Sequence, residues 1–254
     1  KMLERTLAEA ETTSYLLSPD ARRLVYSPKY GDLAMVDVQG SSQAKLLGRG
    51  NLEYALWSNS SKRLAFYDTD NHHVILANAD GSTAQLGDAF TQQPDTLAFL
   101  PDESGILAIN NDGYVKSRML VLGVDGKVTE IAKGKDYWLK GIADNGSILT
   151  NQTIDSRGSP EFWLRTSQGI NMMLGVLERC TTDSKYPFVG SLADPPRVAF
   201  VDVHGSFVVV DLDSGARVAD KKNVVPAGAT CCAAPAWSPD GMKVILTSCK
   251  NNSD

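Results

Sequence analysis

Basic residues never gather into a run. Lys133-Gly134-Lys135 and Lys221-Lys222 are too sparse to track a phosphate backbone, and the chain carries a net charge of −5. That excludes nucleic-acid recognition through a basic stripe. No stretch approaches the roughly 20 consecutive apolar residues that cross a bilayer as a helix. A G-x-S-x-G elbow, a Walker loop and a G-x-G-x-x-G after a strand are all lacking, so no hydrolase nucleophile or nucleotide cradle of those kinds is expected in this chain. Between Tyr15 and Ser248 no segment keeps a helical period with proper caps. Histidines number three and cysteines four, which leaves little material for a metal centre.

What is present is a ladder of glycine turns. Gln39-Gly40, Asp80-Gly81, Asp125-Gly126, Gln168-Gly169 and Ser214-Gly215 each follow a short apolar run. Their spacing of about 40–50 residues, with room for four strands per period, is that of propeller blades. A second turn series runs half a period out of step: Ser18-Pro19-Asp20, Ser58-Asn59-Ser60, Leu100-Pro101-Asp102, Ala143-Asp144-Asn145-Gly146, Ala193-Asp194-Pro195-Pro196 and Ser238-Pro239-Asp240-Gly241. Pro, Asp, Asn and Gly each supply a distinct element of turn chemistry there. Equivalent apolar pieces follow, among them Arg23-Leu24-Val25-Tyr26, Arg63-Leu64-Ala65-Phe66, Arg197-Val198-Ala199-Phe200 and Lys243-Val244-Ile245-Leu246.

The reading is an all-β chain, a β-propeller of four-stranded antiparallel blades, six in number with an incomplete last blade. Lettering the strands a to d, a single domain over 1–254 divides into blades at about 13–50, 51–93, 94–136, 137–180 and 181–224. The sixth, 225–254, is completed by residues 1–12, since a borrowed strand removes a sheet edge. A short helix over 1–12, with Leu3, Leu7 and Ala10 on one face, is the alternative. The unfinished sixth blade leads to the expectation of a trimmed chain or a disordered end, and the start at Lys1 to that of a removed leader or longer upstream region.

Ala236-Trp237-Ser238-Pro239-Asp240-Gly241 resembles the WSPDG repeat of TolB-type propellers. Leu17-Ser18-Pro19-Asp20 is a second copy and Trp57-Ser58-Asn59-Ser60 a degenerate third. The resemblance covers about 240 residues as a class of blades. It implies a periplasmic scaffold or the gating propeller of a prolyl-oligopeptidase-like peptidase, and it marks a blade rather than a reaction.

Cys180, Cys231, Cys232 and Cys249 all lie late in the chain. Disulfides are the favoured reading, ahead of free thiols or a metal, because Cys-Cys without a second close pair is poor zinc spacing. That leans toward a periplasmic or secreted protein. Asp68-Thr69-Asp70-Asn71 hints at a calcium loop but lacks the downstream bidentate acid. His72, His73 and His204 fall in b–c connections of blades two and five, opposite one another in a six-bladed ring, so they read as solvated loop residues. No cofactor or metal is expected.

The d–a and b–c connections of a propeller emerge on one face, and loops on a rigid frame are where binding residues collect. That face is expected to carry Tyr30, His72, His73, Tyr114, Tyr137, Arg157 and His204, with Asp136 and Trp138 beside them. Aromatics and Arg are the types enriched at interface hot spots. The leading function is a non-enzymatic scaffold that binds a protein or peptide partner there, outside the cytoplasm. A gating propeller for a hydrolase domain absent from this chain is the alternative. A small-molecule site among the inner strands is a third reading, weakened by how apolar the strands Tyr54-Ala55-Leu56-Trp57 and Thr96-Leu97-Ala98-Phe99 are. Oligomeric state is left open.

Overall fold

The computed structural model describes residues 14–29, 31–40, 43–87, 90, 92–111, 117–153, 161–176, 190–191, 196–201, 206–222, 232–238 and 243–248. It has the expected fold class, an all-β propeller of four-stranded antiparallel blades. The first sheet is β1 (Tyr15–Leu17), β2 (Arg23–Tyr26), β3 (Asp32–Asp37) and β4 (Lys45–Arg49). The second is β5 (Leu56–Trp57), β6 (Arg63–Asp68), β7 (His73–Asn78) and β8 (Thr83–Leu86), and the third β9 (Thr96–Phe99), β10 (Gly105–Asn110), β11 (Arg118–Gly123) and β12 (Val128–Lys133). The fourth comprises β13 (Asp136–Ile142), β14 (Ile148–Thr153), β15 (Glu161–Arg165) and β16 (Asn171–Val176). The fifth comprises β17 (Gly190–Ser191), β18 (Arg197–Val201), β19 (Phe207–Asp211) and β20 (Arg217–Lys221). The last described sheet is the hairpin β21 (Cys232–Trp237) and β22 (Val244–Ser248). The strands cluster into two compact units, β1 to β12 and β13 to β22.

In the first unit β6 and β10 are buried along nearly their whole length, on both faces, which is why they read as nearly unbroken apolar runs. Leu64 and Phe66 of β6 pack against Val25, Leu33, Met35 and Leu47 of the first sheet. Their alternating neighbours Ala65 and Tyr67 pack against Ile106, Ala108, Leu120 and Leu122 of the third. The period of two along one strand thus glues three sheets. In the second unit Phe162 and Leu164 of β15 meet Val198, Phe200, Val208 and Val210. Phe162 and Phe200 stand edge to face, with centroids 5.1 Å apart.

The a–b turns repeat at atomic level. Ser18, Ser58 and Leu100 each donate their N–H to the carbonyl five residues on, at 2.9, 2.8 and 3.0 Å. The fourth turn position is left-handed each time, at Ala21 (φ 56°), Ser61 (φ 61°), Glu103 (φ 56°) and Gly146 (φ 83°). Only the last is the residue type that adopts this conformation without cost.

These turns also latch one sheet to the next. Arg23 Nη1 donates to Ser61 O at 3.2 Å, and Asp20 N to Ser61 Oγ at 2.9 Å. One repeat later Arg63 Nη1 donates to Glu103 O at 2.9 Å. The strained carbonyl is therefore the acceptor for an arginine of the preceding sheet.

Two readings are corrected. Tyr54-Ala55-Leu56-Trp57 is not one strand: Leu52–Tyr54 forms a 3-10 turn. Asn51 Oδ1 accepts from Glu53 N at 3.0 Å there, and Ala55 N donates to Leu52 O at 3.1 Å. His73 is not in a loop but opens β7, paired with Asp68. The strand-or-helix question over 1–12 lies outside the described residues. So do Cys180, Cys231 and Cys249, and of Cys232 only the backbone is described, opening β21.

Candidate functional site

The d–a and b–c connections do share one end of each sheet. Gly50 N donates to Gly31 O at 2.7 Å and Phe90 N to His72 O at 2.6 Å, in the first and second sheets. Gly134 N makes the corresponding bond to Ser117 O at 3.0 Å. In each case a residue beyond strand d is pinned to the residue before strand c.

In the first unit a cluster of polar groups at this end lies around the β6–β7 turn. Asp68, 8% exposed, accepts from Asp70 N at 2.9 Å and Asn71 N at 3.3 Å through Oδ1. Its Oδ2 accepts from Asn71 Nδ2 at 2.9 Å. Burial pushes the Asp68 carboxyl up, but the bonds from Asn71 and Asp70, with His73 nearby, hold it below its ordinary value. The turn ends on His72, which has φ 60° where the first sheet has Gly31 at φ 84°. Histidine is among the residues that tolerate this region. Tyr67 Oη and His72 Nδ1 share a hydrogen bond of 2.8 Å. Burial, then the Asp68 charge, raises the Tyr67 phenol above its usual range, so it stays protonated at neutral pH. The His73 Nδ1 atom is buried and has no hydrogen-bond partner.

Arg49, the last residue of β4, spans the two connections. Its guanidinium lies 3.4 Å from Asp70 and 3.8 Å from Asp32, and its carbonyl accepts from Thr69 N at 3.3 Å. A Cβ on Gly31 would come within 2.9 Å of Arg49 Nη2, so the missing side chain makes room for the arginine. Gly50 bridges to Asp68, and a Cβ there would meet Tyr67 O at 2.6 Å. Tyr54, on the same connection, is 39% exposed.

The second unit carries a smaller polar group at the start of its first sheet. Lys135 Nζ sits 3.4 Å from Glu161 Oε2 and 5.1 Å from the centre of the Trp163 ring, whose Nε1 donates to the same Oε2 at 2.9 Å. Ser117 Oγ donates to Asp136 at 2.7 Å. Desolvation lowers the Lys140 ammonium.

Of the expected binding residues, His72 ends the turn just described and His73 opens the strand that follows it. Tyr137 is buried, at 3% exposure, while its neighbour Trp138 is 42% exposed. The exposed aromatic of this pair is thus Trp138, because alternation along β13 turns Tyr137 inward. Tyr30, Tyr114, Arg157 and His204 lie outside the described residues. Sequence reasoning passed over Arg49 and Tyr67. Tyr67 had a findable signal, since its five-residue separation from His72 places the two across one hairpin end. Among the described residues no group of three His, Cys, Asp or Glu could hold a metal. The Asp68 carboxylate is occupied by its own turn and Asp70 by Arg49.

No protein-family model matches the sequence, and no curated protein matches it. Solved structures do. The chain is similar to dipeptidyl peptidase 4 of Porphyromonas gingivalis, at 12% identity and a TM-score of 0.54, over 83% of this chain and 37% of that one. It is similar to a prolyl endopeptidase studied for inter-domain dynamics, at 13% identity and TM-score 0.49, over 89% and 37% of the two chains. TolB from Acinetobacter baumannii is another neighbour, at 13% identity and TM-score 0.45, over 83% and 54%. The chain thus spans about half the length of that TolB and little more than a third of each peptidase. At such identities the likeness is one of fold alone. Among the described residues no helix is long and apolar enough to cross a membrane.

Proposed function

We propose that this chain is a non-enzymatic TolB-type propeller scaffold that binds a protein or peptide partner through the end bearing its d–a and b–c connections, in an extracytoplasmic assembly. In this reading all the sheets form a single six-bladed domain, and residues 1–12 complete the last blade. The observation that carries the proposal is the β6–β7 turn. A histidine is held there in a left-handed conformation by Tyr67, Asp68 and Phe90, beside Arg49. Strain at a surface turn that the surroundings over-determine is characteristic of functional loops. Such preorganisation lowers the ordering cost of binding. The four cysteines favour the extracytoplasmic location.

A second reading is supported by the dipeptidyl peptidase likeness. There the chain is the propeller portion of a larger hydrolase, and the same end gates its substrate. Affinity capture on the intact protein from its native source separates the two. A specific co-purifying protein, lost in Arg49→Ala and His72→Ala variants that remain folded, supports the scaffold. Recovery of a longer polypeptide carrying a G-x-S-x-G segment, with no partner, supports the gating propeller. Capture indifferent to both substitutions contradicts the assignment of this end.

A further inference from the structure

A cleft of about 200 Å³ opens between the first and second sheets, at the end opposite the β6–β7 turn, lined by Arg23, Met35, Asp37, Gln43, Lys45 and Ala79. Its construction follows from the register. Arg23 of β2 is paired with Asp37 of β3, and Met35 with Lys45 of β4, so all four point to one face of the sheet. Farther along that face Val25, Met35 and Leu47 enter the core against the second sheet. The cleft is therefore the rim of an apolar seam, with charges set around an apolar floor of Met35 and Ala79. The small side chain at position 79 keeps it open. One repeat later the corresponding residue is Val124.

The charges are not mutually spent. Of the five N–H donors of Arg23, one goes to Ser61 O, and its nearest carboxylate, Asp20, is 3.9 Å away. Lys45 Nζ donates to the backbone carbonyl of Asp80, and its charge also helps hold the Asp80 carboxyl below its ordinary value, though Asp80 does not line the cleft. Asp37 Oδ1 accepts from Gln39 N at 2.7 Å and Gly40 N at 2.6 Å, and its Oδ2 has no hydrogen-bond partner among the described residues. Those bonds, with Arg23 and Arg22 nearby, keep the Asp37 carboxyl below its ordinary value, so it is ionised at neutral pH. Two cationic donors and one anionic acceptor converge on a space well below the roughly 300 Å³ lower bound of drug-sized pockets.

We infer that this cleft is a binding site for a small zwitterion, a free α-amino acid with a short aliphatic side chain. The α-carboxylate lies between the Arg23 guanidinium and the Lys45 ammonium, the α-ammonium donates to Asp37 Oδ2, and the side chain rests on Met35 and Ala79. Both charges of the ligand are then matched, which a simple carboxylate or amine does not achieve.

Isothermal titration calorimetry of the full chain with L-valine tests this. The expected result is a saturable isotherm with a dissociation constant below about 10 mM, and at least tenfold (~1.4 kcal/mol) weaker binding of valinamide and of N-acetylvaline. Ala79→Leu, which fills the cleft from the facing sheet, is expected to abolish binding without altering the charged groups. If that variant does not fold, Lys45→Met serves instead and is expected to weaken valine at least tenfold. No isotherm to that limit overturns the inference. So does equal affinity for the singly charged analogues, or binding that survives the cleft substitution in a folded variant.

Discussion

Glu103 closes both of its carboxylate oxygens on Ser60 of the neighbouring sheet: Oε1 accepts from the backbone N–H and Oε2 from the hydroxyl, each at 2.7 Å. Its own carbonyl simultaneously accepts from Arg63. One residue thus ties the second and third sheets through side chain and main chain together. It does so from a left-handed backbone conformation that costs about 1–2 kcal/mol. Glu103→Ala keeps that strain and removes both side-chain bonds. It is expected to lower unfolding stability by about 1–2 kcal/mol in urea titrations. An unchanged midpoint would remove the latch from the account.

The same contact sets a pH dependence. Burial pushes the Glu103 carboxyl up, but the side-chain and backbone bonds from Ser60 more than offset it, leaving it below the ordinary value of 4.5. A group depressed in the folded state contributes stability above its unfolded pKa, and this is lost as pH falls through its folded value. Acid unfolding of the protein is therefore expected to depend less on pH below about 4.5 in Glu103→Gln than in the parent. Equal slopes for parent and variant in that range would contradict the assignment.

At the β6–β7 turn, two substitutions of one residue are expected to differ. His72→Ala loses the bond to Tyr67 while keeping φ positive, and is expected to cost about 1–2 kcal/mol. His72→Gly loses the same bond but relieves the backbone, so its net effect is expected to fall within about 0.5 kcal/mol of zero. Thermal and chemical denaturation of the pair, with Tyr67→Phe as control, reads the difference directly. Equal losses in both would show that backbone conformation is not the issue.

Gly50 answers to a different constraint. A Cβ there would press on the Tyr67 carbonyl at 2.6 Å, and backbone cannot swing aside as a side chain can. Gly50→Ala is expected to destabilise by more than about 2 kcal/mol, well above the usual glycine-to-alanine effect. Differential scanning calorimetry suffices, and a neutral result would mean that β4 and β6 are farther apart than described.

How much of this was legible in the sequence varies with the kind of residue. Turn chemistry and period marked the strands, because Pro, Asp and Gly act locally: the Ser18, Ser58 and Leu100 turns close with the same bond. The two-sided burial of β6 was visible as an apolar run. The binding end was less accessible. Tyr137 and Trp138 are adjacent and both aromatic, and only the pleat decides which is exposed. Arg49 acquires its role from Asp32 and Asp70, which lie in two different sheets, so no local pattern announces it. Latches such as Ser60 to Glu103 span 43 residues, one repeat, and become visible only when the sheets are side by side.

The most direct test of the central claim is a hydrogen–deuterium exchange footprint of the intact protein with and without its captured partner. The account predicts slowed exchange at residues 49–54 and 67–73, with the a–b turns at 18–23, 58–63 and 100–105 unchanged. Protection confined to those a–b turns would place the partner at the other end of the sheets and contradict it.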